Sequence, residues 1–403
     1  MITDAVRGCS SAFRLGPSAP AFRRVALNTA APPQPAAAHG SRKLFVSLQA
    51  GRALAALAVV LFHLGGIVAD AKYFNVPWVA APFRFGDAGV EFFFVLSGFI
   101  IASAHVADIS RPSRLIPYLQ RRAIRIYPPY WIVFALVCLL ALPFGATRAT
   151  LPTDPGTLTG AWFLFPQDPT VVGGTGSPVI IAAWTLRYEV LFYLFFALLI
   201  VDLRLGLLVA VGYAIAFASL RHQPGNVFPL TFLLNPCVWL FGMGIVVARA
   251  SDGALRPSRP LLWLAVASIA FVGFAMNRAH HWVPLGDWNV YGLGIASSVA
   301  ILAAVAAEKA GADLGGGRLL QLIGAASYVL YLIHYPLFSV GCKVAMACGM
   351  QKLGIAGMAA SYVLLLAAAI GTAILFHLAI ELPVQRWLSA RMIRKNRSPQ
   401  PTG

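Results

Sequence analysis

GRALAALAVVLFHLGG, residues 51–66, is apolar apart from Arg52 and His63. Together with its apolar flanks from 44 to 69, the run is long enough to cross the hydrocarbon core of a bilayer as a helix. Ionisable side chains are costly in hydrocarbon, so they turn toward a bundle interior or a water-filled cavity. The eleven residues from Arg52 to His63 rise about 16 Å and turn through about 1100°, a net rotation of roughly 20°. Both side chains therefore lie on one face, three turns apart, as a polar stripe that demands partners.

Apolar runs recur along the whole chain. Of its 403 residues, 59% are hydrophobic and 11% charged, whereas soluble domains carry about 25% charged residues. Ten spans are predicted, at 44–69, 88–106, 127–146, 182–201, 204–220, 229–249, 260–277, 288–306, 319–341 and 355–382. The expected fold is all-α, a polytopic integral membrane helix bundle. The formal charge of +17 is unevenly placed. With the amino terminus inside, the inner segments hold 22 Lys and Arg and the outer loops 7, while Arg52 and Arg187 lie within spans. This fits the positive-inside rule with both termini cytoplasmic. The basic excess is a topology signal, with some attraction to anionic membrane lipids. No aromatic-basic module of the kind that binds nucleic acid is present.

Residues 1–43, rich in Ala, Pro, Ser and Arg, read as a disordered basic tail, and 391–403 as a second one. The membrane domain is expected over 44–390. The longest outer loop, about 147–181, carries PTDPG, FPQDP and VVGGTGSP, Pro/Gly loop chemistry suited to covering an outer mouth. Cys9, Cys138, Cys237, Cys342 and Cys348 have no metal-ligand or CxxC spacing, so no metal is expected. No internal repeat is evident, which weakens an inverted-repeat transporter reading.

Other polar residues stand in apolar surroundings. GVEFFFVLSGFII places Glu91 near the outer end of the second span and Ser97 deeper; WTLRYEVLFYL carries Arg187 and Glu189; SYVLYLIHYPL carries His334; ELPVQRW carries Glu381. Glu91 and Glu381 read most simply as solvated interfacial acids. Glu189 is surrounded by apolar residues, and Arg187 cannot share its face at a spacing of two. In RRAIRIYPPYW, Arg122 and Arg125 are neighbours on a helix. Such a cluster ordinarily sets topology and touches headgroups, but arginine pairs also suit phosphate recognition.

These strings, taken in order, resemble the membrane acyltransferase-3 family, which includes bacterial exopolysaccharide and lipopolysaccharide O-acetyltransferases. The resemblance covers roughly residues 44–390. It rests on Arg52 and His63 with ten residues between them, on GVEFFFVLSGF, Arg122 and Arg125, WTLRYEVLFY and SYVLYLIHYP. The acid of the second motif, often Asp in the family, is Glu91 here. The resemblance implies transfer of an acyl group, expected to be acetyl, from cytoplasmic acyl-coenzyme A to a carbohydrate hydroxyl. It implies a multi-pass protein of the bacterial inner membrane. The expected roles follow. His63 is a general base, which suits an imidazole. Glu91 or Glu189 orients it, as the acid does in a triad. Arg52 polarises the acyl carbonyl or binds the donor, and His334 is a second proton-transfer candidate. Arg122 and Arg125 hold the coenzyme A phosphates. Ser97, Trp184, Tyr188 and Tyr328, in the same motifs, are expected to contact substrate. Ser97 and His63 are conceivable acyl carriers, and direct transfer is equally consistent. The rival reading is a proton-coupled transporter or flippase, which would use the same intramembrane His, Glu and Arg as a proton path.

Overall fold

The computed structural model describes residues 45–141, 151–152, 154–253 and 257–395. The expected tail at 1–43 lies outside them, as do residues 396–403. Every regular element among the described residues is helical. Ten helices are long and apolar enough to cross a membrane, matching the ten predicted spans in order. The first is α1 (Val46–Ala69). Two short 3-10 segments lead to α2 (Gly89–His105). Then follow α3 (Leu115–Ala141) and the short α4 (Pro155–Trp162). The chain continues through α5 (Trp184–Val201), α6 (Leu203–Leu220), α7 (Cys237–Asp252), α8 (Pro260–His280), α9 (Asp287–Lys309) and α10 (Gly317–Ala347). Last come α11 (Gly354–Phe376), a π-helical turn (His377–Glu381) and α12 (Leu382–Lys395). The expected carboxy-terminal tail is therefore helical as far as Lys395. In that stretch the Arg391 guanidinium lies 3.8 Å from the Trp387 ring centroid, a cation–π contact between residues one turn apart.

Bilayer hydrocarbon is as apolar as leucine, so helix association depends on close packing and small residues rather than on burial from water. The crossing of α2 and α7 illustrates this. A Cβ on Gly98 would stand 2.1 Å from the Phe241 carbonyl oxygen, and one on Gly244 would stand 2.0 Å from that of Val95. Two hydrogens in place of side chains let these backbones touch. By contrast, α6 has Gly206 as its one buried residue and presents Leu207, Leu208, Val211 and Ile215 outward, the expected surface of a lipid-facing helix.

Helix ends are satisfied by side chains. Asp202, the single residue between α5 and α6, accepts from the amides of Arg204 and Leu205 at 2.8 and 3.0 Å. The Glu308 carboxylate at the end of α9 accepts from Val46 N at 3.0 Å and Ser47 N at 2.9 Å, capping α1. The loop after α3 is tied back to that helix. Tyr127, Tyr130 and Trp131, on one face of α3, donate to the carbonyls of Phe163, Ala161 and Trp162 at 3.2, 2.7 and 2.9 Å. These carbonyls lie at the end of α4, where few helical amides remain to serve them. The loop thus folds back beside the middle of α3, where its backbone is tied to protein donors. Cys138, Cys237, Cys342 and Cys348 are free thiols.

Candidate active site

The stripe on α1 finds its partners on α10. Arg52 Nη2 donates to Ser327 Oγ at 2.9 Å and Nη1 to Gln49 Oε1 at 3.3 Å. One stage further along, His63 Nδ1 lies 3.2 Å from His334 Nε2. The common face expected from spacing is present, and it packs on one neighbour. Seven residues of α10 separate Ser327 from His334, about 10 Å along the axis, so Arg52 and His63 do not reach the same atom.

The two histidines fix each other's protons. His63 Nδ1 lies 3.0 Å from the Val59 carbonyl, and His334 Nδ1 lies 3.0 Å from the Leu330 carbonyl. A carbonyl only accepts, so each Nδ1 carries hydrogen and each neutral ring keeps its lone pair on Nε2. His334 Nε2 then accepts a share of the His63 Nδ1 proton, and His63 Nε2 is left as a base. His334 is fully buried and His63 half-buried.

Neither predicted acid orients His63. Glu91 is buried and bound by Arg278 of α8, which also reaches Asp87 at 3.1 Å. Glu189 accepts from Tyr193, and Ser97 Oγ donates to it at 3.4 Å. The neutral His334 occupies the place expected of an acid. Glu91 and Glu381 are not solvated interfacial acids either, being 5% and 1% exposed. Glu381 accepts from Arg125 Nη1 at 2.7 Å, from His377 Nδ1 at 2.6 Å and from Gln385 Nε2 at 3.0 Å.

A cavity of about 570 Å³ runs through the bundle beside this stripe. One end is lined by Arg121, Arg122, Arg125, Gln385 and Ser389; Arg52, Ser97, Glu189 and Tyr328 lie along it; Thr185 and Tyr331 stand at the other end. Arg125 is neutralised by Glu381 and lies 5.4 Å from the Tyr328 ring centroid. Arg122 has no carboxylate in contact among the described residues. It touches His105 Nε2 at 3.4 Å and the rings of Tyr118 and Tyr193, and its buried Nε has no partner. The two arginines expected to act as a pair are therefore electrostatically unlike. Trp184 and Tyr188 do not line the cavity; they pack around Phe94, with ring centroids 6.3 and 6.2 Å away.

The histidine pair lies just beyond the cavity. Tyr331, one turn before His334 on α10, lines the cavity and has its ring centroid 5.8 Å from that of His334. Its hydroxyl is 3.2 Å from Thr185 Oγ1, which is itself 3.1 Å from the Ala182 carbonyl. Since that carbonyl takes the single threonine proton, the tyrosine hydroxyl donates to Thr185. Tyr331, Thr185, Ser327, His377 and Arg278 were not among the expected site residues. His377 had a readable signal, a histidine four residues before Glu381 on a helical face. Tyr331 had a fainter one, one turn from His334.

A helix bundle with a polar cavity and buried ionisable side chains along it defines a multi-pass membrane protein built around chemistry within the bundle. The family model described as an acyltransferase domain, acyltransferase-3, matches residues 45–381, and the chain belongs to that family. Its enzyme class is O-acetyltransferase. Among its relatives is the exopolysaccharide production protein ExoZ of Rhizobium meliloti, 28% identical over 66% of this chain and 81% of the relative. The peptidoglycan O-acetyltransferase OatA of Listeria monocytogenes is 26% identical over 75% of this chain and 51% of its own length. The O-acetyltransferase OatA of Staphylococcus aureus is 23% identical over 71% and 49%. The chain spans about half the length of these two OatA proteins. No solved structure matches.

Proposed function

We propose that this enzyme moves an acetyl group from a coenzyme A thioester, held in the cavity, to a hydroxyl of a surface or exported carbohydrate at the bacterial inner membrane. The observation that carries the reading is the His63–His334 pair, whose carbonyl contacts leave a lone pair on His63 Nε2. The carbohydrate acceptor follows the named roles of the relatives, exopolysaccharide production and peptidoglycan O-acetylation.

Arg122, which lines the cavity and has no carboxylate in contact among the described residues, binds the donor phosphates. Ile126 is level with Tyr328, whose hydroxyl donates to its carbonyl at 2.8 Å. Since α3 and α10 run parallel there, Arg122 lies ten residues below His334, about 15 Å along the axis. The pantetheine arm has roughly the reach of four extended residues, about 13–14 Å, and together with the length of the Arg122 side chain it covers that interval. Arg52, about 10 Å short of the histidines, holds the arm rather than the reacting carbonyl. His63 Nε2 takes the acceptor hydroxyl proton as the oxygen attacks the thioester carbonyl. The C–S bond then breaks, and the departing thiolate takes that proton from His63. His334, accepting from Nδ1, holds the ring in register while it is charged.

The test is NMR of surface polysaccharide from a deletion strain and from the same strain carrying the gene. Acetyl resonances should vanish on deletion and return on complementation. Identical spectra would refute the carbohydrate reading.

A further inference from the structure

We propose that Phe94 sets the size of acyl group that the donor cavity admits, an inference that rests on the coenzyme A reading above. The cavity end remote from the arginines is formed by Val90, Phe94, Thr185, Leu186, Tyr331 and Phe241. Thr185 joins Tyr331 by a hydrogen bond, and Phe94 meets the ring of Trp184, the residue next to Thr185. These side chains therefore surround one place, the end nearest the histidine pair, where the thioester must lie for transfer. Apart from two hydroxyls that bond to each other, this end is hydrocarbon. It suits an acyl group and offers nothing to a charged one.

Phe94 is the part of this wall least able to retreat. It is 4% exposed, and its ring is held at 4.8 Å from Phe241, 6.3 Å from Trp184 and 6.2 Å from Tyr188. Phe241 is stacked on Phe192 at 4.6 Å and 15°. The backbone behind is fixed as well. Gly98, one turn along from Phe94, meets the Phe241 backbone at the crossing of α2 and α7. A close-packed aromatic layer on a glycine-locked crossing resists displacement, so an acyl chain that grows toward it meets a fixed surface. Trp184 and Tyr188 contribute by backing the wall rather than by touching substrate.

The test is donor affinity, measured by calorimetry on the full chain in detergent, with coenzyme A, acetyl-coenzyme A and butyryl-coenzyme A as probes. The wild type should bind the first two alike and butyryl-coenzyme A at least about tenfold more weakly, since each misplaced methylene costs a factor of ten or more. Phe94→Ala should bring butyryl- to within about threefold of acetyl-coenzyme A, a narrowing of the methylene discrimination, without changing affinity for coenzyme A itself. Phe94→Leu, which keeps the wall filled, should lie between and carries the test if the alanine variant does not fold. Equal binding of both thioesters by the wild type, or an acetyl preference unchanged in the variants, would overturn the inference. Failure of the wild type to bind coenzyme A would instead overturn the donor reading beneath it.

Discussion

At the scale of single residues, the site works through accounting of protons and charges. His63 has one nitrogen committed to Val59 and His334 and one without a partner among the described residues. Replacing it with Ala should lower acetyl transfer by about 10²–10⁴, the usual worth of a general base, while coenzyme A binding in detergent persists. Transfer at the wild-type rate would make the histidine a packing residue. His334→Gln keeps an acceptor for the Nδ1 proton, so it should retain more activity than His334→Ala; equal losses would argue against a positioning role. The two arginines should part company. Arg122→Gln removes charge-assisted contacts worth about 1.5–3 kcal/mol each, so coenzyme A affinity should fall more than tenfold with insertion intact. Arg125→Gln removes the guanidinium from the buried Glu381 and leaves it His377 and Gln385, and a buried acid that loses its cation is destabilising. It should lower the thermal unfolding temperature markedly, which Arg122→Gln should not. The same shift in both variants would show that Arg122 too is structural.

At the scale of helices, the crossing of α2 and α7 fixes the cavity wall. Gly98→Val would drive a branched side chain into the Phe241 carbonyl. Overpacking of a tight core costs about 1–3 kcal/mol, and backbone offers less relief than a side chain does. Unfolding in detergent should move to lower temperature, while Gly212→Val, at a lipid-facing glycine with open space beside it, should change little. Equal effects would mean that the crossing is looser than the backbone contact implies. The loop after α3 obeys the same logic of satisfied backbone. Its α4 carbonyls have three aromatic donors waiting on α3, so it folds in beside that helix.

At the scale of the whole molecule, charge asymmetry predicts orientation. By sequence, the segments assigned to the inner side hold 22 Lys and Arg and the outer loops 7, and we expect both termini in the cytoplasm. A reporter active only in the cytoplasm, fused after residue 403, should give signal from stably inserted protein; silence would reverse the topology. That orientation would set the arginine end of the cavity toward the cytoplasm, as the proposed coenzyme A donor requires, with the histidine pair beyond its far end.

The sequence alone determined the class, the ten spans and the family, because apolar length and motif order are local properties that need no knowledge of neighbours. It also placed Arg52 and His63 on one face, since helical geometry fixes relative direction within an element. Which side chains meet across elements was another matter. Glu91 and Glu189 each had suitable chemistry and depth for orienting His63, yet packing turned the first to Arg278 and the second to Tyr193. Arg122 and Arg125 read as a matched pair until the π-helical turn between α11 and α12 delivered Glu381 to only one of them. Helix rotation and crossing decide such contacts, and they are set by close packing among several helices at once, including glycines far along the chain from the site.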